Sequence, residues 1–222
     1  MTYRELINQV LIRLREDTIS SNWSGNLNDS TTVSAYHKVI GSLVNDAKRT
    51  AETYHDWLVL RETVNVSTVA STKNYNLSSG QEFKILDVVN NVTGDKLTQT
   101  TNQYMNSIKY PTDPTGEPSY YAINGADSSN NLKVDLSPIP TEAQTISFDI
   151  VKYQDDLTEA ATTLKIPSQP VIMGAWARAI AERGEDGGTQ SSAAAAEAMS
   201  VLNQAVMRDS GNSKYDTDWY II

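Results

Sequence analysis

Apolar residues recur at helical spacing at both ends of this chain and at alternate positions in between. A helical period cannot serve as a strand, nor the reverse. This double switch therefore commits the chain to helices drawn from its two ends and strands drawn from its middle. Residues 2–17 open with Tyr3, Leu6, Ile7, Val10, Leu11 and Leu14 on one helical face. Thr2 followed by Glu5 three positions on is a capping-box pattern that starts this helix. A polar Ser/Asn/Gly loop follows, in which Trp23 and Leu27 are expected to pack. Residues 31–54 carry Tyr36, Ile40, Leu43, Val44, Ala47, Ala51 and Tyr54 as an apolar stripe, with Lys38, Asn45, Lys48, Arg49 and Glu52 opposite.

From residue 58 to about 154 the alternation predicts strands: Val64 and Val66; Tyr75 and Leu77; Leu132, Val134 and Leu136; Ile146, Phe148 and Ile150. Residues 83–90 read as a more fully apolar strand. Residues 119–123 read as another, with Tyr120 and Tyr121 on opposite faces. Turn signals at Ser79-Gly80, Thr93-Gly94-Asp95, Asn124-Gly125-Ala126-Asp127 and Pro138-Ile139-Pro140 separate these runs. A short helix is expected at 100–108, and the Pro-rich loop 110–118 is expected to be an exposed contact loop.

The stretch 166–188, IPSQPVIMGAWARAIAERGEDGG, is a helix almost without a polar face, ending in a charged glycine-rich turn. Such a helix must be covered on most sides, inside a helical domain or at a subunit contact. Residues 189–208 place Ala195, Ala198, Met199, Leu202, Ala205 and Val206 on one face, and residues 209–213 are expected to break that helix. The remaining tail carries Tyr215, Trp219, Tyr220, Ile221 and Ile222, too few residues for a core and too apolar to leave in water. The expected fold is thus α+β. A four-helix domain (1–57 and 155–208) is built from both chain ends, an antiparallel β-sandwich or barrel (58–154) is inserted in it, and an extended C-terminal docking tail (209–222) follows.

Composition narrows the function. The 222 residues hold no cysteine, which excludes disulfides, thiol nucleophiles and cysteine metal sites. No apolar run is long enough to span a membrane, and the start of the sequence lacks the pattern of a signal peptide, so synthesis and retention in the cytoplasm are expected. A net charge of −9 with no basic stripe argues against tight nucleic-acid binding, while leaving a surface that DNA slides past. His37 and His55 lack partners at metal-ligand spacing. Ser78-Ser79-Gly80 and Ser128-Ser129 lack a nucleophile-elbow context, and Gly184, Gly187 and Gly188 lack the strand and lysine of a phosphate loop. The run 127–135, DSSNNLKVD, departs from a calcium loop at Leu132 and Pro138 and reads as a polar hairpin turn. Asp155-Asp156 and Glu185-Asp186 read as solvated loop charges. No catalytic, cofactor-binding or metal-binding residues are expected.

Five segments together resemble the head-to-tail adaptors of short-tailed bacteriophages, the family that includes the tail tubular A proteins. They are MTYRELINQVLIRLRED; VNDAKRTAETYHDW with LRETVNV; FKILDVVN; PSYYAINGADSSNNLKVDLSPIP; and IPSQPVIMGAWARAIAERGEDGG. The resemblance implies a structural virion protein of the tail, made in the host cytoplasm, with no enzymatic activity. It implies a dodecameric ring between the portal protein and the tail nozzle, tail fibres as a further attachment, and an axial channel that DNA crosses without specific binding. On that reading Gly174, Trp176, Arg178, Arg183, Glu185 and Asp186 belong to subunit packing, the two arginines pairing with acidic residues of a neighbour. Tyr215, Trp219, Tyr220, Ile221 and Ile222 dock on the portal. Tyr110, Pro114, Tyr120 and Tyr121 face the nozzle or fibres. A glycan-binding β-domain on a helical stalk, using the 110–121 region, is the alternative.

Overall fold

The computed structural model describes residues 1–31, 33–77, 83–108, 112–184 and 188–212. It divides into two compact units, one formed by Met1–Leu60 with the chain from Gln154 onward, the other by Arg61–Tyr153. As the periodicity requires, helices come from both ends and strands from the middle.

The first unit holds four helices. Helix α1 (Tyr3–Arg13) starts at the predicted capping box: the Glu5 amide donates to Thr2 Oγ1 at 3.4 Å, and the Thr2 amide donates to Glu5 Oε2 at 2.8 Å. The Thr2 amide, first, and the Thr2 hydroxyl, by hydrogen-bonding the carboxylate, hold Glu5 below its ordinary range. The helix stops four residues earlier than its pattern suggests, because Arg15 turns left-handed (φ 59°) and brings Ile19 back onto it. There Asn8 acts as a backbone surrogate, accepting from the Ile19 amide at 2.8 Å and donating to its carbonyl at 3.1 Å. The following loop is anchored as expected: Trp23 and Leu27 are buried, Trp23 edge-on to Tyr3.

Helix α2 (Ala35–Tyr54) begins at Ser34, whose hydroxyl accepts from the His37 amide. Ile40, Val44, Ala47 and Ala51 of its apolar stripe are buried, Tyr36 and Leu43 are half-buried and Tyr54 is exposed; Lys48 and Glu52, which the pattern assigns to the polar face, are buried too. The cause is the strap of chain from Gln154 to Leu157, which lies on that face and presents backbone groups that need partners. Asn45 meets both polar groups of Leu157, at 2.9 and 3.0 Å, and Lys48 donates to the Gln154 carbonyl. Further on, the strap makes isolated β-bridges, Asn26 with Glu159 and Thr2 with Thr163.

Helix α4 (Ser168–Arg183) packs on α1, α2 and α5 (Thr189–Asn212). Val171, Ile172, Met173, Ala175, Ala177 and Ala179 are buried, so this same chain covers most of its apolar surface. Gly184 ends it in a left-handed cap (φ 64°). Helix α5 continues through Asn212 instead of breaking at Asp209, since the Asp209 carboxylate accepts from the Leu58 amide (3.1 Å) and contacts His55 Nε2 (3.0 Å). The tail expected from residue 209 therefore loses its first four residues to the helix. Among the described residues no helix is long and apolar enough to cross a membrane.

The second unit is a sandwich of two sheets. One has the order β1-β7-β3, from Arg61–Ser67, Thr145–Lys152 and Phe83–Asn90, and is antiparallel throughout. The other has the order β2-β6-β5-β4, from Asn74–Asn76, Leu132–Ser137, Tyr120–Ala126 and Thr98–Thr100. It is antiparallel except that β4 runs parallel to β5. The short helix α3 (Asn102–Ile108) lies between β4 and β5 in sequence, as predicted. Val66, Val88, Ile146, Phe148 and Ile150 from one sheet meet Tyr121, Val134 and Leu136 from the other in a single apolar core. Asn124-Gly125 forms a bulge within β5 rather than the turn expected there. The turn follows at Asp127, whose carboxylate accepts from the amides of Ser129 and Asn131, both at 2.8 Å. The bonds from Asn131 are the first cause of the lowered pKa of Asp127. This polar hairpin turn consumes the carboxylate that a calcium loop would have used.

Candidate assembly surface

Gly174 sits where α4 crosses α2. A Cβ there would lie 3.2 Å from Ala47 Cβ and 3.3 Å from Arg178 Nη1. Its smallness thus serves helix contact within this chain. Trp176 is half-buried. It lies on the side of α4 toward the end of α1, where the Arg13 guanidinium stands 6.0 Å from the ring centre.

Both arginines of α4 find partners inside the chain. Arg178 reaches toward α2, donating to Thr50 Oγ1 at 2.9 Å and to the Gly174 carbonyl at 3.2 Å. Arg183 donates to Glu16 Oε1 at 2.5 Å and to the Tyr36 hydroxyl at 2.7 and 3.0 Å, and its guanidinium covers the Tyr36 ring at 5.2 Å. Glu16 is thus the acid that Arg183 engages, a partner that spacing along α4 could not reveal. Glu185 and Asp186 lie outside the described residues.

Between α2, α4 and α5 runs a groove of about 460 Å³. Small side chains make it: Ala47 and Ala51 of α2, Gly174 and Ala177 of α4, Ala195 and Ala198 of α5. Helix α5 spans 24 residues, yet among its described side chains only Ala194 and Leu202 are buried. Its C-terminal half is tied to α2 and to the segment that follows α2. Tyr54 Oη donates to Asn203 Oδ1 at 2.9 Å, and Asp209 ties it to the exit of α2. Met199 (47% exposed), which also lines the groove, and Met207 (74% exposed) leave it with exposed apolar side chains.

The expected contact loop divides. Tyr121 is buried in the sandwich core, edge-on to Phe148 at 5.9 Å, so it is structural and not a contact residue. Alternation along β5 puts Tyr120 outward, against the exposed Tyr104 at 5.7 Å. Pro114 is clipped in place: its carbonyl accepts from the Ile139 amide at 2.8 Å, and the Gly116 amide donates to Ile139 O at 2.9 Å. Tyr110 lies outside the described residues, as do Tyr215, Trp219, Tyr220, Ile221 and Ile222. Among the described residues no three His, Cys, Asp or Glu side chains gather as metal ligands.

A family model described as SU10 adaptor protein matches residues 1–217 of the chain. No curated protein matches it.

Proposed function

The chain belongs to the SU10 adaptor protein family of phage head-tail adaptors, and on that footing we propose that it forms a ring joining the portal to the tail nozzle. The observation that carries this reading is the family match, which covers both units and leaves only the last five residues unmatched. The family is one of structural proteins, and the chain is accordingly read as a virion component of the tail.

In this proposal a dodecamer encloses an axial channel. Avidity then makes a durable joint from modest contacts, because each is repeated around the ring. The acidic balance of the chain, −9 overall, keeps DNA from adhering as it passes for packaging, retention and ejection. The exposed side of α5, with Met207 and the groove-lining Met199, is the part of the helical unit best suited to a neighbouring subunit. Trp176 and the Arg183–Glu16–Tyr36 cluster brace α4 behind it. Tyr215, Trp219, Tyr220, Ile221 and Ile222 form an arm for the portal, and Tyr120 with the Pro114 loop offers a surface to the nozzle or to tail fibres.

The test is a deletion of residues 213–222. These residues follow the last described turn of α5, so the shortened chain is expected to keep its helical circular dichroism and thermal transition. It is expected to lose co-sedimentation with portal particles. A shortened chain that still binds portal and still yields infectious particles contradicts the role given to the arm.

A further inference from the structure

We propose that the Asn124–Gly125 bulge of β5 is a site of spontaneous covalent modification. Asn124 cyclises onto the Gly125 amide, loses ammonia and becomes aspartyl or isoaspartyl, which undoes a hydrogen-bonded clasp across β2, β6 and β5. This concerns the sandwich by itself and stands apart from ring assembly.

The sequence supplies the reacting pair. Of the asparagines in the chain, only Asn124 precedes a glycine. Lacking a Cβ, Gly125 leaves its own amide nitrogen unhindered as a nucleophile toward the Asn124 side chain. The fold then frees the pair. The register of β5 on β6 passes from Ile123 opposite Val134 to Ala126 opposite Leu132, so neither Asn124 nor Gly125 has a partner residue in the ladder. Both are exposed, Gly125 takes φ 72°, and nothing lies within 4 Å of where a Cβ on it would stand. Water and hydroxide therefore reach the amide and the side chain alike. Asn65 and Asn90, by contrast, sit in register opposite Ser147 and Ile146, and Asn90 is buried.

The chemistry balances with water alone. Hydroxide takes the Gly125 amide proton, the nitrogen attacks Asn124 Cγ, and the Cγ–Nδ2 bond breaks as ammonia leaves. Water then opens the cyclic imide at either carbonyl. One opening gives aspartate. The other gives isoaspartate, which lengthens the main chain by a methylene, and a bulge already out of register accommodates it.

The reaction is coupled to structure through Asp135. Asn124 Nδ2 donates to Asp135 Oδ2 at 3.0 Å, and Asn74 Nδ2 donates to Asp135 Oδ1. Asp135, on β6, is only 7% exposed and holds amides from the strands on both sides, β5 and β2. That hold restrains Asn124 and slows its cyclisation relative to an unfolded chain. After cyclisation and hydrolysis it cannot re-form, because a carboxylate stands where the donor was. Two carboxylates this close cannot both stay ionised, so the new one swings into water and Asp135 retains, of these two donors, Asn74. The change runs one way and loosens the strand that carries Tyr120.

Full-length folded chain is incubated at mildly alkaline pH and sampled for peptide mass and isoaspartyl labelling. The β5 peptide is expected to gain about 1 Da and to carry isoaspartate. Its conversion is expected to exceed that of any other asparagine at least about tenfold, each tenfold being about 1.4 kcal/mol off the barrier. Asn124→Gln, whose longer side chain would have to close a larger ring, removes the gain. A β5 peptide that keeps its mass, or converts no faster than other asparagines, overturns the proposal. This measurement on the unaltered chain decides the modification whether or not variants fold. The clasp is read separately. Asn124→Asp supplies the product directly, and amide exchange at residues 74–76 and 133–135 is expected to quicken relative to the parent at neutral pH. On acidification the protonated carboxyl can again donate to Asp135, so exchange returns toward the parent at the same pH, whereas Asn124→Ala stays fast. An Asp variant that exchanges like the parent at neutral pH overturns the clasp.

Discussion

Gly41 and the Lys48–Glu52 pair show how single side chains fix the helical unit. A Cβ on Gly41 would run into Leu27 Cδ2 and come within 2.5 Å of the Tyr3 hydroxyl, the ends of two buried side chains that would have to shift to admit it. Gly41→Ala is expected to destabilise the chain by about 1–3 kcal/mol in thermal or urea unfolding, despite the better helix propensity of alanine. Lys48 and Glu52 are buried 3.1 Å apart beneath the strap. Glu52→Ala strands the Lys48 ammonium and should cost about 3–5 kcal/mol, while Lys48→Met with Glu52→Leu should cost far less than either single change. Burial, the leading cause, raises the pKa of the Glu52 carboxyl although Lys48 opposes it. The folded chain thus keeps this proton to a higher pH than the unfolded chain does. The group's contribution to stability is present in acid and is lost as pH rises from the ordinary value of 4.5 through the raised one. Unfolding measured across that window should show this slope in the parent and lose it in the double variant.

At the scale of elements, period was a better guide than composition. The stripes of α1 and α2, the alternation in β6 and β7, and the apolar run of α4 each mark a buried face that hydrophobic spacing alone discloses. Long-range satisfaction of backbone groups was not legible. Nothing local shows that Asn45 and Lys48 will serve the carbonyls of a strap more than a hundred residues away. Nor does local chemistry show that Asp209 will hold α5 in place rather than end it. The same holds for the surface residues. Gly174 lets α4 come close to another helix, but its neighbour Ala47, and the partners of Arg178 and Arg183, belong to this chain. Tyr121 could be recognised as inward by alternation, and loop composition misled because the strand begins at its neighbour Tyr120. Asp209→Ala tests the anchoring of α5. It removes acceptors from the Leu58 amide and His55, and should cost about 1–2 kcal/mol. Amide exchange should quicken at residues 203–212 and stay unchanged in the strands of the second unit.

The whole molecule consists of two compact units. The helical unit contains the braced helix α4, the loosely filled α5 and the start of the tail, while the sandwich carries the Tyr104–Tyr120 pair on a firm core. A protein whose work is joining needs surfaces of this kind, and the chain's family is one of phage head-tail adaptors. If many copies assemble as a ring on the portal, electron microscopy of the purified chain mixed with its portal will show a twelvefold layer of this protein beneath the portal, with an open channel on the axis. Portal particles that stay bare, or that bind scattered single copies without a closed ring, would contradict it.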